Sequence, residues 1–165
     1  MRAVLLRTHY VFTMGLLTFL GTLVTREPVL SVIFAGLVSV LANSLIDYLG
    51  HEVRGSFIAR TPLTHTWLRS IAWGSIAVAF ATVLTRYAVH DLRLDDLITL
   101  AMISAVLAGP SHMLLDVFTE KGIYVKKDGK WVRFALAHFK YNDPTVNGLA
   151  VFIGFLLGIT AFGAW

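Results

Sequence analysis

The chain contains no cysteine. Disulfide frameworks, thiolate metal sites and cysteine nucleophiles are therefore excluded. Charge is also scarce. Only 15% of the 165 residues are Asp, Glu, Lys or Arg, against 56% hydrophobic. A soluble domain of this size has no interior large enough to hide so much apolar surface. Prolines number four, and one of them, Pro110, falls inside an apolar run. No internal repeat or low-complexity segment divides the chain.

What is present is a set of long apolar runs. Stretches of about 18 or more mostly apolar residues read as membrane spans. Five occur, roughly at 9–25, 28–48, 66–88, 97–118 and 147–165. The expected fold is an all-α integral membrane protein: a single domain, 1–165, built as a bundle of about five transmembrane helices. Arg2 and Arg7 stand ahead of the first run as in a signal peptide, but Thr25-Arg26-Glu27-Pro28 reads as a tight turn between two helices.

Positive charge is unevenly placed between the spans. Arg26, Arg86 and Arg93 fall on one side. The remaining Lys and Arg, among them Arg2, Arg7, Arg54, Arg60, Arg69 and the cluster from Lys121 to Lys140, fall on the other. The positive-inside rule then puts the N-terminus in the cytoplasm and the C-terminus outside, in a plasma or inner membrane. The net charge of +4 is a topology signal suited to anionic lipid headgroups. It points to membrane lipids as partners and not to nucleic acid.

The loops add detail. Residues 49–65 contain Gly50, Gly55 and Pro62 and are too short and broken for a domain. Residues 123–134 place Asp128-Gly129 between short β-prone stretches, which predicts a small cytoplasmic β-hairpin. Trp67, Trp73, Tyr87, Trp131 and Trp165 read as interface anchors.

Several ionisable residues sit where an apolar span should not tolerate them. His9 opens span 1, Asp47 and His51 close span 2, His65 opens span 3, and His112 and Asp116 close span 4. All fall at the predicted cytoplasmic end. Such groups are costly in a bilayer and are paired, metal-bound or functional. Asp47/His51 and His112/Asp116 are each spaced i, i+4, so each pair projects from one helix face. Facing helices build metal sites in this way. Imidazole and carboxylate suit zinc first, then manganese or iron. The expected ligands are His9, Asp47, His65, His112 and Asp116 around one or two ions, with the span 2 ligand open between Asp47 and His51. Thr64 and Thr119 are expected to hydrogen-bond around the ligands. Pro110 is expected to loosen span 4 near the site. His138 and Asp143 read as surface groups, and so does His51 if it is not a ligand.

Ser111-His112-Met113-Leu114-Leu115-Asp116-Val117-Phe118-Thr119-Glu120-Lys121-Gly122 resembles the S-H-x-x-x-D-x-x-T-x-x-G signature of the YdjM-like membrane-bound metal-dependent hydrolases. Thr64-His65 resembles that family's T-H step, and Asp47 and His9 fall where it has an acid and an N-terminal histidine. A paired acid of the family's D-x-D-H run is missing, with Leu45 in its place. A more distant likeness is to zinc-dependent phospholipase C. The resemblance implies a helical membrane hydrolase using divalent metal, at most two ions.

The expected function is hydrolysis of a phosphoester or similar bond in a lipid-like substrate at the cytoplasmic leaflet. A bound ion would bring the pKa of water to about 7. Asp47 or His51 would act as general base, and Arg60 would steady the developing negative charge. Two other classes remain open: a metal or proton transporter, and a non-catalytic membrane scaffold with a structural metal. Toward the outer half, spans 1, 3 and 5 offer only Thr and Ser, including Thr18, Thr22, Thr82 and Thr160, which favours a closed site over a pathway.

Overall fold

A computed structural model describes residues 5–55, 57–89 and 91–163. Arg2, His90 and Trp165 lie outside them. In chain order the elements are α1 (Leu6–Thr25), α2 (Pro28–Gly50), β1 (His51–Arg54), β2 (Phe57–Arg60), α3 (Trp67–Ala88), α4 (Leu94–Asp116), β3 (Ile123–Lys127), β4 (Lys130–Phe134) and α5 (Pro144–Gly163). All five helices are long and apolar enough to cross a membrane.

Local chemistry sets the helix ends. Arg26 closes α1 in the left-handed region at φ 63°, and Pro28 opens α2 at its first turn, where its missing N–H costs nothing. The Thr66 hydroxyl accepts from the Arg69 N–H to cap α3, and the Asp143 carboxylate accepts from the Thr145 and Val146 N–H groups to cap α5.

Hydroxyls are buried at the helix contacts, and large apolar side chains cover much of the outer surface. Thr8, Thr13, Thr18, Thr22, Ser31, Ser39 and Asn43 are buried. Val29, Ile33, Phe80, Val83, Phe152 and Phe155 face outward. Small and hydroxylated residues let helices approach closely, and bulky apolar residues on the outside suit a lipid surround. Gly15 packs against the backbone of Gly154, so α5 lies along α1. Gly109 packs against the Ser70 carbonyl, drawing α4 onto α3. Helix α4 runs unbroken from Leu94 to Asp116 with Pro110 inside it. A core of Leu17, Phe34, Val38, Ala77, Ala81, Leu97 and Leu100 fills the middle of the bundle.

The hairpin predicted from Asp128-Gly129 is present as β3–β4, with both turn residues at positive φ (50° and 78°). A second antiparallel hairpin, β1–β2, occupies part of the segment read as a broken connector, pairing His51 with Arg60 and Arg54 with Phe57. Its signal was weak: two four-residue strands around Gly55, which lies at φ 62°. Both hairpins cover the same end of the bundle. The Tyr124 N–H donates to the His65 carbonyl, the Tyr124 hydroxyl donates to the Arg60 carbonyl and Lys121 Nζ donates to the Ile58 carbonyl. Ile123 is fully buried against Ile46, Met113 and Val117. Trp73, expected mainly as an interface anchor, also donates from Nε1 to the Leu63 carbonyl.

Candidate metal centre

Every ionisable residue singled out at the predicted cytoplasmic end comes together there. His9 comes from the first turn of α1, Asp47 from the last turn of α2 and His51 from β1. His65 comes from the turn before α3, and His112 and Asp116 from the end of α4. Hydroxyl contacts set the helices in register. Tyr10 and Ser44 join α1 to α2 at 2.6 Å, and Thr13 and Ser111 join α1 to α4 at 2.7 Å.

The histidine Nε2 atoms converge on two carboxylates. His112 Nε2 lies 3.4 Å from Asp47 Oδ1 and 3.3 Å from Asp116 Oδ2. His65 Nε2 lies 3.6 Å from each of the same two oxygens. His9 Nε2 lies 3.4 Å from Asp116 Oδ1, and His51 Nε2 lies 3.8 Å from Asp47 Oδ1. The His9 and His112 rings stack at 3.9 Å. Despite this crowding, the Nε2 atoms of His9, His65 and His112, with Asp47 Oδ1 and Asp116 Oδ2, have no hydrogen-bond partner among the described residues. Buried polar atoms are almost always partnered. Five unpartnered atoms aimed at one small volume mark a place built for something else.

For His112 and His65 the far nitrogens explain the orientation, whereas His9 Nδ1 has no partner among the described residues. Asn43 Nδ2 donates to the Ser39 carbonyl at 2.7 Å. A carbonyl only accepts, so this fixes the amide and leaves Oδ1 facing His112 Nδ1 at 2.8 Å. His112 therefore carries its proton on Nδ1 and presents the Nε2 lone pair when neutral. The Thr64 hydroxyl donates to the Ile46 carbonyl, so its oxygen must accept from His65 Nδ1 at 2.8 Å. Neutral His65 thus also aims a lone pair inward. Burial pushes the His65 imidazole down to about 4 and lowers His51 too, so His65 is neutral near pH 7. Such lone pairs beside carboxylates repel one another unless a positive charge, an imidazolium or a metal ion, lies among them.

Thr64 takes the supporting place expected for it. Thr119 donates to the Asp116 carbonyl and accepts from Arg60. Asn43 was missed, although it lies one turn before Asp47 on the same face of α2, at the i, i+4 spacing that revealed the other pairs. Arg60 sits differently from the expectation. It is buried, and its guanidinium pairs with Asp116 and donates to the Thr119 hydroxyl and, at 2.7 Å, to the Gly122 carbonyl. It touches the Asp116 carboxylate instead of facing an open substrate space. His51 and Asp47 are the accessible edge, with side chains 19% and 14% exposed. His138 is exposed, as expected, whereas Asp143 is the cap of α5.

The pattern of a family described as "Protein of unknown function (DUF1286)" matches residues 4–115. The chain belongs to that family. The match takes in His9, Asp47, His65 and His112 and ends one residue before Asp116. No curated protein and no solved structure matches the chain. The resemblance to YdjM-like hydrolases, and the fainter one to phospholipase C, is thereby overturned. The motif misleads for a physical reason. Its Thr and Gly do local work here: Thr119 binds back to the end of α4, and Gly122 turns the chain at φ 56° and offers its carbonyl to Arg60. Short patterns made of helix-ending residues recur without common chemistry. Any assignment of the site rests on its geometry.

Proposed function

We propose that this chain is a membrane-embedded, metal-dependent hydrolase acting on a phosphoester or similar bond of a lipid-like substrate at the cytoplasmic leaflet. The observation that carries the reading is the set of buried, unpartnered Nε2 and carboxylate oxygen atoms of His9, Asp47, His65, His112 and Asp116. Imidazole and carboxylate without thiolate favour zinc, with manganese or iron as further candidates. A bound ion supplies an activated water.

The chain's own residues supply the rest. Asp47, at the accessible edge, would take a proton from an incoming water through Oδ2, leaving Oδ1 for the centre. Arg60 has a positioning role: it holds Asp116 Oδ1 and leaves Oδ2 for the centre. With neutral imidazoles, Asp47, Asp116 and Arg60 leave one net negative charge, so a divalent ion makes the site cationic and receptive to an anionic phosphate. A lipid-like substrate is favoured by an apolar groove of about 720 Å³ beside α1, α4 and α5, lined by Phe12, Leu114, Phe118, Leu149 and Ile153 among others. That size suits a small-molecule site. Two of its lining residues adjoin the centre in sequence: Phe12 is one turn from His9, and Leu115 precedes Asp116.

The test is elemental analysis of detergent-purified protein, together with turnover of lipid phosphoesters. Transition metal retained by the wild type and lost in His112→Ala/Asp116→Ala, with metal-dependent turnover, supports the reading. Folded wild type that takes up neither zinc nor manganese removes it.

A metal or proton transporter is the second reading. It draws on Thr18, Thr22 and Thr85, buried hydroxyls whose oxygens have no partner among the described residues. Metal uptake or proton movement in proteoliposomes, without hydrolysis, would favour it.

A further inference from the structure

We propose that the centre holds two metal ions in unequal positions. An inner ion is held by His9, His112 and Asp116, and an outer ion by Asp47, His51 and His65. This rests on the metal reading above and adds its stoichiometry and regulation.

The six side chains divide into two triads. Within each, one ligand atom per residue lies within 4.8 Å of the others. The inner triad comes from α1 and α4 and is wholly buried. The outer triad comes from the end of α2, β1 and the turn before α3. His65 is its buried member, and Asp47 and His51 reach solvent. Each triad includes unpartnered buried atoms: His9 Nε2, His112 Nε2 and Asp116 Oδ2 in one, His65 Nε2 and Asp47 Oδ1 in the other. His9 approaches Asp116, and His51 approaches Asp47, so the two outlying histidines belong to different carboxylates.

One ion does not use this many donors. Zinc sites take about four ligands, and catalytic ones leave a position open. Six side chains around one ion would leave no place for water. Two ions give each three protein ligands and an open position. The triads also adjoin: Asp47 Oδ1 lies 3.4 Å from His112 Nε2 and Asp116 Oδ2 lies 3.6 Å from His65 Nε2. Either carboxylate is therefore placed to bridge.

The positions differ in consequence. The inner one is enclosed on every side, so its ion exchanges slowly. The outer one is at the accessible edge, so its ion exchanges with the surroundings and meets water and substrate. A second divalent ion raises the charge of a centre that has only two carboxylates and already contains Arg60. It therefore enters together with hydroxide or an anionic substrate oxygen. Activity should follow occupancy of the outer position, which makes the supply of free metal a regulator.

The experiment uses the full chain in detergent, stripped of metal and reloaded with Mn²⁺ or Zn²⁺. We expect two equivalents in the wild type, of which a brief chelator wash removes one. Mn²⁺ loading should give the exchange-coupled electron paramagnetic resonance spectrum of a pair about 3.5–4 Å apart. His51→Ala should keep one equivalent and show a single-ion spectrum. One equivalent in the wild type, with an uncoupled spectrum and loss of metal in both Asp47→Ala and Asp116→Ala, overturns the pair and leaves a one-ion centre. No metal at all overturns the metal reading as well. The wild-type stoichiometry and spectrum decide the matter even if a variant fails to fold.

Discussion

Asn43 and Thr64 decide which nitrogen of His112 and His65 faces the centre. Groups that fix a ligand imidazole in this way are worth about 10–100-fold in metal affinity. Asn43→Leu should weaken metal binding by that order while leaving the fold intact, and Asn43→Asp, which still accepts from Nδ1, should restore part of it. Competition with a chromophoric chelator measures both. Arg60→Ala should be costly for a different reason. It leaves the buried Asp116 carboxylate without its cation, a loss of about 3–5 kcal/mol for a broken buried pair. The loss should be largest in metal-free protein, because a bound cation compensates Asp116, and thermal unfolding with and without metal reads the difference. His65 sets a pH dependence. Its folded value, about 4, lies below the ordinary 6.5. The neutral ring is the form the fold favours, so its contribution is complete above pH 6.5 and is lost as pH falls from there toward 4. The loss is at most about 3 kcal/mol. Metal-free protein should lose thermal stability over that window, and His65→Gln should flatten the profile.

At the level of elements, α5 is the outlier. It supplies none of the six clustered side chains, and its packing is mainly along α1 through Gly15 and Gly154. A side chain at Gly154 would run into the Val11 carbonyl and the Phe12 backbone. Gly154→Leu should therefore lower stability by about 1–3 kcal/mol or more, as overpacking does, while metal content per folded molecule stays at the wild-type level. Loss of metal in folded Gly154→Leu would mean that α5 helps to shape the centre. The hairpins play the opposite part. β1 carries His51, β2 carries Arg60, and β3 holds both hairpin and turn in place through Tyr124. The α1–α2 turn was legible in the sequence because Pro28 is a strong local signal, whereas Thr66 and Asp143 were not read as the caps they form. The β1–β2 hairpin was not, because four-residue strands with little alternation carry almost no periodicity and are held by contacts distant in sequence.

For the whole molecule, the outer surface is apolar as well as the core, hydroxyls are buried between the helices, and the candidate centre sits at one end of the bundle under both hairpins. From the charge asymmetry we propose that this end faces the cytoplasm. The absence of cysteine makes the test direct. A single cysteine at Lys127, on the β3–β4 hairpin, should react with an impermeant thiol reagent only after cells are opened. One at Asp95, at the start of α4, should react in intact cells. The reverse pattern would place the centre on the outer face and move the expected substrate to the outer leaflet.

The sequence alone determined the five apolar helices, the Asp-Gly hairpin and the gathering of His9, Asp47, His65, His112 and Asp116 at one end. These follow from composition, period and spacing, which are local properties of a chain. Only the tertiary structure decided that Arg60 pairs with Asp116, that Asn43 orients His112 and that the six groups divide into a buried triad and an accessible one. Those outcomes depend on which faces meet when α1, α2 and α4 pack. Partners 56 to 69 residues apart are brought together by helix packing that no local pattern encodes.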